Sequence, residues 1–179
     1  MPRKHNRDGL LAHALAVAVR DGIDGVTFGA VGKEADVPDR TVVYYFPSKA
    51  DLLQAVIGAT AVQILAALEE RIGDRRLPAA ELATTCFETL SAAANRRLMT
   101  VWLQVWSKAA GGEQPHLGIS QALVGRWIGW TAAHLEPEPA SEEEARVAVG
   151  RLIAVLDGAL LLELVGFGAE AREALGLLA

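Results

Sequence analysis

The segment from Ala35 to Leu53 carries side chains of the types that read the edges of base pairs in duplex DNA. Its sequence is ADVPDRTVVYYFPSKADLL. Arg40 has a planar guanidinium that can donate two hydrogen bonds to guanine O6 and N7, and the carboxylate of Asp39 can accept one from cytosine N4. This chemistry predicts sequence reading in a DNA groove. The alternative for Arg40 is a surface salt bridge with Asp39 or Asp36.

A second set of basic side chains precedes the first predicted helix. Arg3 and Lys4 stand next to His5 and close to Arg7. A short basic arm of this kind can reach phosphates or a minor groove. A solvated tail without DNA contact is the alternative interpretation, and the sequence leaves both open.

These side chains need a scaffold, and the spacing of apolar residues predicts helices. The first apolar stripe comprises Leu11, Ala14, Leu15 and Ala18. The helix that carries it should end near Gly22, since glycine suits the left-handed backbone at a helix end. Thr27 can cap a second helix, and Asp36 marks the turn that follows it. The order up to Phe46 is therefore helix, turn, helix, with the last helix free to contact base edges.

The rest of the chain predicts six further helices and no strand. Ser48 and Asp51 form a variant capping box that begins a long fourth helix, which continues to about Ile72. A loop is expected over residues 111–118, and a last short helix over Glu170–Leu178. The expected fold is all-α with about nine helices. Residues 1–47 are expected to form a three-helix domain that carries the DNA-reading side chains. Residues 48–179 are expected to form a helical domain, whose roles in ligand binding and dimerisation are implied by a family resemblance.

Composition excludes several other classes of protein. Cys86 is the only cysteine, so no internal disulfide can form, and the four histidines lack metal-ligand spacing or a paired nucleophile. We therefore expect no enzyme activity, no metal and no cofactor, and a cytoplasmic location. The most apolar stretch, residues 152–165, is shorter than the roughly 20 residues of a membrane span and predicts a buried helix rather than a membrane partner.

Charge is distributed unevenly along the chain. The formal net charge is −5, but residues 1–50 contain seven Lys or Arg and six Asp or Glu, whereas residues 51–179 contain ten and sixteen. The acidity belongs to the carboxyl-terminal part. The overall sign therefore does not exclude nucleic acid as a partner of the amino-terminal part.

The amino-terminal residues resemble those of TetR-family transcriptional regulators. The positions that carry the resemblance are Gly22, Thr27, Ala35, Val37, Thr41, Tyr45, Phe46, Ser48, Lys49, Leu52 and Leu53. The carboxyl-terminal part is similar more weakly, through LMTVWLQVW in the sixth helix and LDGAL in the eighth. The resemblance implies a two-fold dimer that binds a palindromic operator in double-stranded DNA and holds a small-molecule effector.

The resemblance also implies contacts to DNA phosphates. They are expected from hydroxyl and ammonium groups, namely those of Thr27, Thr41, Tyr44, Tyr45 and Lys49. Four positions depart from the family pattern, and one of them is Arg40, which replaces a frequent glycine. Pro38, at the start of the recognition helix and among the expected DNA-binding residues, replaces a frequent capping serine. Gly29 and Val43 replace residues that often bind the DNA backbone.

Two pairs of indoles are the candidate walls of an effector site. Trp102 and Trp106 are one turn apart in the sixth helix, and Trp127 and Trp130 are three residues apart in the seventh. The set is completed by Cys86, Phe87 and Met99, with Gln104, His134 and Glu163 as polar candidates. These residues line one apolar cavity, or they only fill the core.

The eighth helix supplies the candidate dimer interface. It is apolar nearly all round, and small or apolar side chains at Gly150, Ala154, Gly158 and Leu161 recur at near-helical spacing. Such a stripe would let two helices approach closely. Close packing inside one subunit is the alternative.

Together these features predict a ligand-responsive DNA-binding transcriptional regulator. It is expected to act as a dimeric repressor that a small, largely apolar effector releases from its operator. The alternative is a helical protein that binds a small molecule or a partner and whose amino-terminal domain no longer reads DNA sequence. The sequence names neither the effector nor the operator.

Overall fold

A computed structural model describes residues 6–176 of the chain. Within these residues there are nine α-helices, one 3-10 helix and, in place of strands, a single isolated bridge between Leu77 and Leu135. The elements are α1 (Arg7–Asp21), the 3-10 helix (Ile23–Gly25), α2 (Phe28–Glu34), α3 (Asp39–Tyr45), α4 (Lys49–Ile72), α5 (Ala79–Ser91), α6 (Arg96–Ala110), α7 (His116–His134), α8 (Glu142–Leu164) and α9 (Gly168–Leu175). The predicted all-α fold, with an amino-terminal helix-turn-helix domain and a helical carboxyl-terminal part, is confirmed.

Capping side chains explain where several helices begin. A side-chain oxygen accepts a hydrogen bond from a first-turn N–H at three starts: Asn6 from Gly9 at 2.7 Å, Thr27 from Ala30 at 3.0 Å and Ser141 from Glu144 at 3.2 Å. The predicted capping box at the start of α4 is present. The Ser48 N–H donates to Asp51 Oδ2 at 3.0 Å, and the Asp51 N–H donates to Ser48 Oγ at 3.1 Å.

Two predicted boundaries differ from the structure. The loop expected over residues 111–118 is shorter, because α7 begins at His116 and the Pro115 carbonyl already accepts a helical hydrogen bond from Ile119 N at 3.1 Å. The last helix begins at Gly168 rather than Glu170, since the Phe167 carbonyl accepts from Ala171 N at 3.0 Å. Its predicted end at Leu178 lies outside the described residues.

Contacts between residues divide the chain into two compact units. The first contains the residues up to Gln63 together with Thr100–Ser120, and the second contains Ile64–Met99 and the residues from Gln121 onward. The first unit thus combines α1, α2, α3 and the part of α4 up to Gln63 with Thr100–Ser120. We call Thr100–Ser120, which holds the end of α6 and the start of α7, the α6–α7 hairpin. The predicted functional boundary after residue 47 is a different division of the chain and stays a prediction.

The first unit has its own apolar core. Its fully buried side chains include Leu10, Val17, Val26, Val31, Val42, Phe46, Leu52 and Ile57. Arg7 belongs to α1, and its guanidinium lies 5.0 Å from the centroid of the Phe46 ring. It therefore packs on the core, which corrects its assignment to a free basic arm. Arg20 joins α1 to α2 through an ion pair with Glu34 at 2.6 Å.

Helix α4 has the length and composition of a membrane span. It has 24 residues, and an 18-residue stretch of it has a mean hydropathy of 1.7 and is 44% buried. Its buried side chains recur along one side as Leu52, Val56, Ile64, Leu68 and Ile72. This pattern is that of a core helix in a helical protein.

The second unit is built around α5, α8 and α9. Helix α8 packs against both α5 and α9. Leu82, Phe87, Leu152 and Leu160 are among the buried residues of these helices. The Arg172 guanidinium of α9 lies 6.0 Å from the centroid of the Phe87 ring. The segment 152–165, expected to be a buried helix, is buried on one side only.

Candidate DNA-binding surface and the α6–α7 hairpin

A tight turn sets the angle between α2 and α3. Asp36 has a φ of 53°, and the Val37 N–H donates to the Gly32 carbonyl at 2.9 Å. A Cβ added to Gly32 would lie 2.8 Å from the Val37 carbonyl oxygen, so only glycine allows this approach of the backbones. The predicted helix-turn-helix geometry therefore depends on Gly32, which the sequence analysis did not single out.

Helix α3 has one face buried and the opposite face exposed. Val42 and Phe46 are fully buried, whereas Arg40, Val43 and Tyr44 are exposed, and Tyr44 retains 69% of its accessible surface. Within the described residues Arg40 makes no ion pair, so the alternative of a salt bridge to Asp39 or Asp36 is not observed. The guanidinium is available to a base edge.

The start of α3 agrees with the expected loss of a cap. Pro38 occupies the cap position and offers no side-chain acceptor. Asp39 turns its carboxylate toward two glycines of α2. A Cβ added to Gly29 would lie 3.6 Å from Asp39 Oδ2, and a Cβ added to Gly32 would lie 3.2 Å from Asp39 Oδ1. Its expected bond to cytosine stays a prediction, and it needs this carboxylate to turn away from α2.

The expected phosphate ligands surround α3. Thr27 is exposed at the start of α2, Thr41 and Tyr45 are partly buried, and the rings of Tyr44 and Tyr45 meet edge to face with centroids 5.0 Å apart. Lys49 is the first residue of α4, and burial lowers its pKa while the charge of Asp24 opposes that shift. Arg3 and Lys4 lie outside the described residues, so their expected roles stay predictions.

The α6–α7 hairpin contacts the junction between α1 and α2. Gln104 Oε1 accepts a hydrogen bond from the Ile23 N–H at 3.0 Å. Gly22 has a φ of 81°, and a Cβ added to it would lie 2.9 Å from the same oxygen. Gln104 thus fills the space beside a glycine and satisfies a buried N–H. It was expected as a polar contact for the effector, and the structure gives it this structural role.

A small charge cluster lies beside that contact. Lys108 Nζ lies 3.0 Å from Asp24 Oδ1 and 3.5 Å from Glu113 Oε2. His116 at the start of α7 is 6% exposed. Burial lowers the pKa of His116 below its ordinary value of 6.5, and the charge of Lys108 lowers it further. No sequence pattern pointed to this cluster, because Asp24 is distant along the chain from Lys108, Glu113 and His116.

The candidate effector residues fall in both units. Trp102 and Trp106 belong to the first, with ring centroids 6.0 Å apart, and Trp127 and Trp130 belong to the second, with centroids 5.5 Å apart. Cys86, Phe87 and Met99 are buried in the second unit, and burial raises the pKa of the Cys86 thiol to about 12. Whether any of them contacts an effector stays a prediction.

Trp130 contacts two polar side chains, Glu69 and His134. Its indole N–H donates to Glu69 Oε1 at 2.5 Å, and its ring stacks on His134 with centroids 4.2 Å apart. The ring nitrogens of His134 in turn lie next to two backbone carbonyls, Nδ1 at 2.7 Å from the Trp130 oxygen and Nε2 at 3.2 Å from the Gly73 oxygen, and the tautomer decides which of them receives the N–H. His134 therefore helps to hold the end of α7, and its polar atoms already have partners.

An open cleft of about 470 Å³ lies in the second unit, and none of the predicted effector residues lines it. Its lining residues are Ala67, Glu70, Arg71, Glu88, Thr89, Ala92 and Asn95. Most of them are polar or small, and Arg71 and Glu88 pair across 3.4 Å. A surface cleft of this composition is a poor match for the apolar cavity that the tryptophans suggested.

The candidate dimer residues share one exposed face of α8. Gly150, Ala154, Gly158 and Leu161 are all exposed, and a Cβ added to either glycine would meet nothing within 4 Å. Val147 and Val165 extend the same stripe at helical spacing, with 52% and 60% of their surfaces exposed. The stripe is therefore open to a partner, and the alternative of close packing inside this subunit is not observed for it.

Comparisons with known proteins agree with this arrangement. Residues 10–56 match the sequence profile of bacterial regulatory proteins of the tetR family. No curated protein sequence matches the chain at a significant level. The match covers α2, α3 and the turn between them, which are the elements that carry most of the candidate DNA-binding residues.

Solved structures share the fold along the whole chain. A transcriptional regulator from Rhodococcus sp. Rha1 is 22% identical with a TM-score of 0.75, covering 97% of this chain and 94% of that one. A TetR transcriptional regulator from Legionella pneumophila is 21% identical with a TM-score of 0.68, covering 99% and 98%. A regulator from Saccharomonospora viridis, solved in complex with choline, is 22% identical with a TM-score of 0.72, covering 95% and 93%.

Proposed function

Because residues 10–56 of this chain match the tetR family of bacterial regulatory proteins, we propose that the protein is a dimeric transcriptional regulator. Its amino-terminal domain binds operator DNA, and a small molecule changes the affinity of that binding. The observation that carries the proposal is the exposed face of α3, where Arg40 and Tyr44 stand clear of the fold while Val42 and Phe46 fix the helix in the core.

The side chains of this surface have two roles, base reading and phosphate contact, which follow from their chemistry. Arg40 reads a guanine through its two parallel N–H groups. Thr27, Tyr44 and Lys49 contact phosphates, which fixes the register of the helix on the duplex. Each phosphate contact contributes a slope of about −0.9 to the logarithm of affinity against the logarithm of salt concentration.

A second copy of the chain covers the exposed stripe of α8. Val147, Gly150, Ala154, Gly158 and Leu161 present small and apolar groups that are costly to leave in water. Two copies related by a two-fold axis place their α3 helices in successive major grooves, so the operator is a palindrome with half-sites about one turn apart. The protein acts in the cytoplasm, where this DNA lies.

Effector binding and DNA binding are linked through helices that serve both units. Helix α4 contributes its residues up to Gln63 to the first unit and its last turns to the second. A ligand that favours one arrangement of such helices changes the fit of the two α3 helices to the operator. Linkage makes the effect reciprocal, and a coupling of about 1–3 kcal/mol gives a useful switch. The choline bound by the Saccharomonospora viridis protein supports a small-molecule effector here, and repression relieved by that effector is the proposed outcome.

Fluorescence anisotropy with DNA from the regions flanking the gene tests the proposal. We expect tight, salt-dependent binding by the wild type. Arg40→Ala should bind specific and scrambled DNA almost equally, whereas Lys49→Ala should weaken both and make the salt slope shallower. Arg151→Ala, which removes an exposed arginine of α8, is the matched control and should leave the affinity unchanged.

The second candidate function is a helical binding protein that has lost DNA reading. It is favoured by the absence of a cap at Pro38 and by the replacements Gly29 and Val43 on the surface. Absence of binding to any flanking fragment at low salt, in a sample that is folded and dimeric, would select this alternative over the regulator.

A further inference from the structure

A hydrogen-bonded turn forms one wall of the open cleft of about 470 Å³ in the second unit. Asn95 and Arg96 both donate their backbone N–H groups to the Ala92 carbonyl, at 2.9 Å and 3.1 Å, and Asn95 Nδ2 donates to the Thr89 carbonyl at 2.8 Å. These bonds hold the turn in place without a ligand. The cleft is therefore preformed, which avoids the cost of ordering this wall on binding, and its volume lies in the range of small-molecule sites.

The neutral polar side chains of the cleft offer hydrogen-bond acceptors. The Thr89 hydroxyl donates its only hydrogen to the Thr85 carbonyl at 2.8 Å, so its oxygen can only accept a further bond. The bond from Asn95 Nδ2 to the Thr89 carbonyl fixes the orientation of the Asn95 amide, and the described part of the chain supplies no donor to its side-chain oxygen. A ligand that pairs with these two oxygens must donate hydrogen bonds.

The charges that line the cleft favour a cation. Glu70 of α4 and Glu88 of α5 supply two carboxylates, and Arg71 supplies one guanidinium, which pairs with Glu88 across 3.4 Å. Arg75, just after α4, is not a lining residue and donates to the carbonyls of Arg71 and Ile72. Glu70 makes no ion pair within the described residues. The cleft is thus one positive charge short, so it attracts a cation and repels an anion.

We propose that this cleft binds a primary alkylammonium ion. An ammonium group has three N–H donors, which match one carboxylate and two neutral oxygens, those of Glu70, Thr89 and Asn95. The alkyl chain lies against the methyl groups of Ala67 and Ala92. This inference rests on the proposed function in one respect, since it takes the ligand to be the effector. The cleft suits that role because α4, which carries Glu70, contributes residues to both units.

Nuclear magnetic resonance of the full chain tests the site directly. The chain has two asparagines, Asn6 and Asn95, and Asn95→Asp identifies the side-chain amide cross-peaks of Asn95 in a ¹H–¹⁵N spectrum. Titration with n-butylamine at pH 7, where the amine is protonated, should shift these cross-peaks with saturation. Glu70→Gln should weaken binding about fivefold, and Thr89→Val, which keeps the side-chain shape without its oxygen, about threefold. Glu81→Gln, at an exposed glutamate of α5 outside the cleft, should not change it.

Two matched compounds identify the chemistry that is recognised. n-Butyltrimethylammonium keeps the charge and the chain of n-butylamine but has no N–H donor, and butyrate carries a negative charge. Both should bind at least about tenfold more weakly, because neither can donate charge-assisted hydrogen bonds to the cleft. Equal binding of the quaternary ion, preference for butyrate, or the absence of a saturable shift with n-butylamine would overturn the inference. Equal binding by the wild type and Glu70→Gln would do the same.

The result is separable from that of the DNA experiment. Operator binding by the ligand-free protein, together with no shift of the Asn95 cross-peaks, removes this site and leaves the regulator in place. A saturable shift in a protein that never binds DNA removes the regulator and leaves the site. If both bindings occur, n-butylamine should change the operator affinity, and Glu70→Gln should need about fivefold more amine for the same change. An unchanged operator affinity at saturating amine would overturn the effector role.

Discussion

Replacing Gln104 by leucine removes the only acceptor that the structure gives to the Ile23 N–H. Ile23 is 1% exposed, so water cannot readily replace the 3.0 Å hydrogen bond. A buried donor left unpaired costs about 1–3 kcal/mol. For a chain of this size each kcal/mol lowers the midpoint of thermal unfolding by roughly 2–4 °C. Gln104→Leu should therefore lower the midpoint by several degrees.

The same change should also weaken DNA binding, because the contact fixes the α1–α2 junction relative to the hairpin. Gln104→Glu keeps an acceptor oxygen at the same place and should restore most of the stability. Gln54→Leu, at an exposed glutamine of α4, controls for the loss of an amide in general. Thermal and urea denaturation followed by circular dichroism, with operator affinity measured in parallel, check both effects. A Gln104→Leu protein as stable as the wild type would refute the reasoning.

Three further predictions concern the turn, a half-buried carboxylate and the dimer stripe. Gly32→Ala should destabilise the protein by about 1–3 kcal/mol, because the added Cβ overlaps the Val37 carbonyl. The control Gly58→Ala, whose Cβ meets nothing within 4 Å, should be neutral or stabilising. Equal melting curves for the two variants would contradict this prediction. Burial raises the pKa of Asp157 to about 7 from 3.8, so its ionisation opposes folding as the pH rises through this range. Asp157→Asn should accordingly stabilise the protein at pH 8 and lose that advantage toward pH 4 in urea titrations. A constant difference across this range would contradict a raised pKa for this carboxyl. Leu161→Asp should convert the dimer to a monomer in light scattering. The control Val62→Asp, at an exposed apolar side chain of α4, should leave the dimer intact. A monomeric wild-type protein would rule out the interface.

Local signals in the sequence were sufficient for the helices and for the starts of several of them. The capping residues Thr27, Ser141 and the pair Ser48 and Asp51 act within four residues, so their hydrogen bonds are encoded by spacing alone. The positive φ of Gly22 follows from the same kind of local rule. The exposed face of α3 was also predictable, because it lies opposite the apolar side chains of Val42 and Phe46 that the helix buries.

Contacts between distant segments were not predictable in this way. Gln104 and Ile23 are 81 residues apart, and nothing in either segment indicates that they meet. Glu70, Thr89 and Asn95 are ordinary polar residues by sequence, and only their place around one cleft marks them. The indoles show the opposite case, since their helical spacing was evident but their separation into two compact units was not.

Footprinting on the DNA that flanks the gene tests the central claim most directly. The account predicts two protected half-sites related by a palindrome, with centres about 10 base pairs, or one helical turn, apart. Arg40→Ala should abolish the protection at concentrations where Arg151→Ala retains it. Uniform protection without half-sites, or none at any concentration of folded dimer, would contradict a sequence-reading surface on α3.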